Sequence, residues 1–206
     1  MLLNRKSVEL LAPAGTWDAL VAGVESGADA VYLGGKHFNM RMHEGGFNFD
    51  DATLKKAIDY AHAHGVRLYV TLNNLISNEE IPALREYLAY LNEIRPDALL
   101  VQDFAVLELV HEMGITIPLH TSVMMNTHNE HAIEKLKEYG ITRIVVGREM
   151  TLSELSLFRE RTGIEVEYFM HGDMCISESG QCIHSGVLFG QSGNRGRCLK
   201  PCRWAY

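Results

Sequence analysis

No cysteine occurs among residues 1–174; all four lie between Cys175 and Cys202. Long apolar runs are missing too. The longest, such as "DALLV" and "RIVVG", fall far short of the roughly 20 residues a membrane-crossing helix needs, so no membrane span is expected. The start, "MLLNRKSVELLAPAG", has neither the long apolar centre nor the small-residue cleavage site of a signal peptide, and a cytoplasmic location is the expectation. In a reducing compartment, clustered cysteines read as metal ligands or redox thiols rather than as disulfides. A GxSxG elbow and an HExxH helix are both absent, which leaves hydrolytic machinery without support. Excess positive charge is absent as well. A net charge of −7 argues against the chain as a whole gripping a phosphate backbone and leaves room only for a local basic patch.

What is present is an ordinary globular chain of 206 residues, 47% hydrophobic and 22% charged, long enough for one substantial core. Short apolar runs recur: "VELLAP", "DAVYLGG", "VRLYVTLN", "DALLVQD", "IPLHTS", "RIVVGRE" and "VEYFMHG". Helical patterns lie between them. "DDATLKKAIDYAHAHG" sets Leu54, Ala57, Ile58 and Ala61 on one face and stops at Gly65, as the helical period requires. "ISNEEIPALREYLAYLNEIRPD" offers Asn78 as cap, Pro82 near the first turn and a stripe of Leu84, Leu88 and Leu91. "TLSELSLFRERTG" offers a capping box of Thr151 and Glu154, with Gly163 as stop. Seven strands and six helices are expected before the cysteines. Nearly continuous apolar strands imply a parallel sheet buried on both faces. No GxGxxG follows the first strand, so the expected α/β fold is a (β/α) TIM-like barrel rather than a doubly wound sheet. With seven strands it is incomplete. No linker divides residues 1–206, and residues 170–206 form a cysteine-rich segment within this single domain.

In such a barrel, chemistry sits where strands run into helices. Those places read "APAG", "GGKHFNMR", Asn73-Asn74, Gln102-Asp103, His120-Thr121-Ser122, Arg148-Glu149 and His171-Gly172. Asp103, His120, Arg148 and His171 are the candidate catalytic side chains. Arg148, between an apolar strand and a capped helix, is the best candidate for holding a carboxylate of a small substrate; the plainer reading is an ion pair with Glu149 or Asp103. His111, His128 and His131 read as surface residues.

The last strand leads directly to the cysteines, spaced Cys175-x6-Cys182-x15-Cys198-x3-Cys202. Only the last pair matches a zinc knuckle. Uneven gaps rich in Gly and Ser suit a loop around a larger object such as an iron–sulfur cluster. Arg195, Arg197, Lys200 and Arg203 crowd the thiols and would favour thiolate and offset an anionic cluster. Four free or buried cysteines are the alternative, with His171 and His184 as substitute ligands. A Cys175–His171 nucleophile pair has no geometry from spacing alone.

"ELLAPAG", "GADAVYLGG", "VGREMTLSEL", "HGDMCISESGQC" and "NRGRCLKPCRWAY" resemble the collagenase-like peptidase family U-32 almost from end to end. The resemblance implies an oxygen-independent hydroxylation protein with a [4Fe-4S] cluster. Relatives of this kind act on a ubiquinone precursor, a tRNA wobble uridine or a ribosomal RNA cytidine, with prephenate implicated as oxygen donor. The "CRWAY" ending is most similar to the tRNA branch. Cys175, Cys182 and Cys198 would hold the cluster. Cys202, or a cysteine in a Lys-Asp-Leu-Cys segment that follows in relatives and resembles the closing strand, would be the fourth ligand. The resemblance also implies that the chain is a fragment or is completed by a partner, as a homo- or heterodimer. Two other readings go with the family: a peptidase, as its name states, and a non-catalytic subunit of a heterodimer. Asp173 after His-Gly, Lys200-Pro201 before the last cysteine, and "TSVMMN" in place of a Ser-Thr-Gln sequence depart from the usual pattern.

Overall fold

The computed structural model describes residues 8–172 and 174–205; the Asp173 departure lies outside them. Seven strands, β1 (Leu11–Pro13), β2 (Ala30–Leu33), β3 (Arg67–Leu72), β4 (Ala98–Val101), β5 (Leu119–Thr121), β6 (Ile141–Val145) and β7 (Glu165–Glu167), form one sheet in sequence order. Every neighbouring pair is parallel. Six helices alternate with them: α1 (Trp17–Glu25), α2 (Asp51–Ala63), α3 (Ile81–Ile94), α4 (Phe104–Glu112), α5 (Glu130–Glu138) and α6 (Leu152–Thr162). A seventh, α7 (His184–Phe189), lies in the cysteine segment. Among the described residues this is an incomplete (β/α) barrel, with β1 and β7 at the two ends of the sheet.

The main core lies between sheet and helices. Leu54, Ala57, Ile58 and Ala61 of α2 and Leu84, Leu88 and Leu91 of α3 are all at most 1% exposed, against Val31, Leu68, Val70 and Leu99 of the sheet. Each such leucine, isoleucine or valine side chain contributes about 1.5–3 kcal/mol by leaving water. Helix starts are capped as their sequences dictate: Asp50 accepts from the Thr53 N–H, and Thr151 and Glu154 form the expected reciprocal box. Gly163 ends α6 in the left-handed conformation. One cap differs from expectation. Ser77, not Asn78, begins the turn before α3, because Glu80 reaches back to its N–H, and Pro82 sits at the second helical position.

The strands are less apolar than their runs suggest. A second, smaller cluster (Ala30, Tyr69, Ala98, Leu100 and Val145) covers the concave face. Below it the inward positions of β3, β6 and β7 are charged. A near-continuous apolar run conceals them because Arg67 of β3, Arg143 of β6 and Glu165 and Glu167 of β7 share one face of their strands with Tyr69 and Val145, two residues along, so only that face carries charge.

Candidate functional site

The barrel interior is organised around Arg143 of β6, 8% exposed. Its guanidinium reaches Glu9 before β1 at 2.5 Å and Glu165 of β7 at 2.8 Å, and lies 3.7 Å from Glu167. It also lies 5.4 Å from the centre of the Tyr69 ring. Tyr69 donates to Glu9 at 2.8 Å, and Arg67 pairs with the same carboxylate. Contacts among β3, β6 and the residue before β1 can be made only across the concave face.

His120 stands above this network. The register between β5 and β6 slips at Leu119/His120 and sets His120 opposite Arg143. Such irregularities re-aim a side chain. The imidazole packs edge-on to Tyr69, ring centres 4.9 Å apart, and its Nδ1 is buried without a partner. Burial, reinforced by the Arg143 charge, pushes its pKa down to about 3, so the ring is neutral. Glu167 is shifted in the opposite sense, to about 7. Burial raises it, and the Arg143 charge that would lower it is already engaged by Glu9 and Glu165. Its Oε2, 3.7 Å from the guanidinium, accepts no hydrogen bond, and neither does the buried Oε1 of Gln102. Unsatisfied buried polar atoms are uncommon in native interiors, and three gather here on the inward positions of β5, β7 and the end of β4.

At the strand ends, Arg148 donates to Ser179 Oγ at 3.1 Å, and its Nε is buried without a partner. The ion pairs expected as the plainer reading do not form. Glu149 accepts the Ser179 N–H, and both oxygens of Asp103 are taken by the N–H groups of Ala105 and Ile76. Among the described residues no carboxylate pairs with Arg148. Asp103 therefore caps α4 and ties it to the β3 loop. His171 is exposed and is not brought to His120 or Arg148 by any described contact. Asn73 bridges the β2 loop and β5, accepting from Met40 N–H and donating to Ser122 Oγ. Glu9, Tyr69, Arg143, Glu167 and Ser179 are not singled out by the sequence; charged residues inside β6 and β7 are a signal for two of them, Arg143 and Glu167.

The cysteine segment lies across the strand ends. Ser179 and Gly180 meet the β6 and β5 loops. Gly180 adopts φ +73, and a Cβ there would stand 2.3 Å from the Met124 carbonyl oxygen. Asn194 and Arg195 bind the β3 loop through the Leu75 N–H, the Leu75 carbonyl and Glu80. Of the cations expected around the thiols, Arg195 docks the segment on Glu80, Lys200 on Glu44 and Arg197 on His43, while Arg203 donates to the Met174 carbonyl within the segment. All four thiols are free, three of them exposed. Cys198 Sγ accepts the Lys200 N–H at 3.4 Å, and the Cβ of Cys198 and the carbonyl of Cys182 both flank Gly193. Among the described residues no three His, Cys, Asp or Glu side chains converge as metal ligands. The donor chemistry thus fits a thiolate-bound group, while the thiols are not gathered.

The family model described as Peptidase family U32 matches residues 15–206. The chain belongs to this family. Two U32-like relatives are the tRNA hydroxylation protein P1 of Bacillus subtilis, 34% identical over 98% of this chain and 47% of that protein, and the 23S rRNA 5-hydroxycytidine C2501 synthase of Escherichia coli, 35% identical over 100% of this chain and 31% of that protein. The U32 chain thus spans less than half the length of either. The solved structure of the U32 peptidase Mk0906 shares the fold, with a TM-score of 0.65 and 17% identity over 78% of this chain and 68% of that one. No helix among the described residues is long and apolar enough to cross a membrane.

Proposed function

We propose that this U32 chain is the half-barrel of an iron–sulfur protein that hydroxylates RNA without dioxygen. A tRNA wobble uridine is the favoured substrate over a ribosomal cytidine or a quinone-like ring. Arg148 carries the reading. Among the described residues its guanidinium meets no carboxylate, its Nε is buried without a partner, and its planar fork suits the carboxylate of an oxygen donor such as prephenate in a way that lysine does not. Neutral His120 and Gln102 line the wall below, able to hydrogen-bond the rest of a polar ligand, and Glu167 can hold a proton near neutral pH. Cys175, Cys182 and Cys198, with Cys202 or a cysteine outside these residues, would hold a [4Fe-4S] cluster, which when bound supplies one-electron chemistry.

The decisive experiment is mass spectrometry of RNA from a deletion strain, with and without the gene restored. Loss of one hydroxylated nucleoside, regained on complementation, is expected; unchanged RNA rejects the reading. Arg148→Lys should weaken donor binding roughly tenfold or more, as loss of a bidentate charged pair does, with iron content unchanged. Equal affinities would remove Arg148 from that role. Anaerobic reconstitution should load iron and sulfide, and stoichiometric zinc in their place would reject the cluster. The peptidase reading rests on the family's name. Among the described residues no serine or cysteine is hydrogen-bonded to a histidine. Gelatin cleavage lost in Cys175→Ser would restore it.

A further inference from the structure

Two adjoining cavities of about 420 and 320 Å³, the first lined in part by Cys198, share His43 and Arg197 in their walls. Together they form a cleft between the loop after β2, which contributes Lys36, His37 and His43, and the cysteine segment, which contributes Arg197. The backbone is built to bring them together. Gly196 has φ +71 and a Cβ position only 2.7 Å from the Asn39 carbonyl oxygen, so the segment lies directly on the β2 loop as it delivers Arg197.

The charges in this cleft do not cancel. Glu44 is held by Arg41 at 2.7 Å and by Lys200 at 2.9 Å, and Glu80 is held by Arg195 at 2.8 Å. Five cations therefore stand against two carboxylates. Among the described residues neither Lys36 nor Arg197 forms an ion pair; Asp50, whose charge Lys36 feels, is committed to the Thr53 N–H. Arg197 Nε donates to His43 Nε2 at 3.2 Å. That bond leaves both terminal guanidinium nitrogens for a ligand and places the His43 proton on Nδ1 as another donor. A solvent-open cleft rich in donors and surplus positive charge, in a chain of net charge −7, is suited to an oxyanion with several oxygens.

We propose that the Lys36–His43–Arg197 cleft holds a phosphodiester of an RNA strand. The proposal rests on the RNA reading above and locates where the strand is gripped. A strand is favoured over a free anion because the cleft continues through two cavities. The same segment also presents an aromatic pair, Phe189 and Trp204, ring centres 5.1 Å apart and both exposed, as a face for an unstacked base.

The test is fluorescence anisotropy of a labelled single-stranded oligoribonucleotide, titrated with the 206-residue chain between 50 and 200 mM salt. Lys36→Gln and Arg197→Gln should each weaken binding about fivefold or more and lower the salt slope by about 0.7, the share of one phosphate contact on a single strand. Lys135→Gln on α5, remote in sequence and already paired with Glu138, should change neither. Arg197 adjoins Cys198, so Lys36→Gln, away from the thiols, decides. Unaltered affinity and slope in that variant would overturn the proposal. So would loss of inorganic phosphate binding with RNA affinity intact, which would make the cleft a small-anion pocket. Binding is read without hydroxylation: a deletion strain with unchanged RNA removes the hydroxylation reading alone. Variants that lose hydroxylation yet bind RNA normally remove the cleft alone.

Discussion

Glu167 and His120 face the same Arg143–Glu9 pair, yet their protonation pulls stability in opposite directions. Glu167 has a folded value of about 7 against an ordinary 4.5, so the stability it contributes is full below pH 4.5 and is lost as pH rises through 7. His120 has a folded value of about 3 against an ordinary 6.5; its contribution is full above pH 6.5 and is lost as pH falls toward 3. Between pH 4.5 and 6.5 the two slopes oppose. Glu167→Gln should therefore give a melting temperature that climbs more steeply with pH across this window than in the parent, and His120→Gln one that climbs less or falls. Parallel curves for both variants would show that neither group is placed as described. Arg148 could be singled out from sequence because it follows an apolar strand and precedes a capped helix. Glu167 could not, because a glutamate in a three-residue strand reads as an edge facing water until the opposing wall is known.

At the level of elements, Asp103 is the instructive case. Its position after β4 matched that of a catalytic acid, and the structure spends both its oxygens on backbone N–H groups of two different segments. Asp103→Ala should destabilise the chain by about 1–2 kcal/mol, the usual value of such a cap, read by denaturant unfolding. Asp103→Asn, which keeps an acceptor, should recover at least half of that. A variant stable as the parent but inactive would give Asp103 a part in the chemistry instead. The helices were legible because their stripes, caps and glycine stops agree with one another. The cap of α3 was misplaced by one residue because Ser77 and Asn78 are both good caps, and only the return of Glu80 to the Ser77 N–H separates them. The docking of the cysteine segment was not legible at all. Ser179 and Asn194 lie in a stretch whose composition says only loop, and their partners are up to 120 residues away, as in the Arg195–Leu75 contact.

For the whole molecule, the alternation of apolar runs and helical stripes was sufficient for an incomplete barrel, since parallel neighbours in sequence order follow from helices in every connection. What ends the sheet is less common. The outer backbone groups of β1 and β7 meet no strand among the described residues, and open edges of this kind recruit other chains. Sedimentation of the 206-residue chain should show association that grows with concentration, and a monomer persisting to high concentration would mean that the edges are covered. Arg143 partly offsets the gap by tying β6 and β7 to Glu9 across the interior, so the association should increase in Arg143→Met.

Three anchors of the cysteine segment, Ser179, Asn194 and Arg195, fall between the thiols rather than on them, as does Lys200 on Glu44. In polymer terms they divide one long tether into short arms, and gathering the ends of short arms costs less chain entropy than gathering those of a long one. The barrel thus sets the effective concentration of each thiol for the others while leaving the sulfurs free to settle around whatever they hold. A chain released at Ser179 or Arg195 would keep its fold and lose its grip.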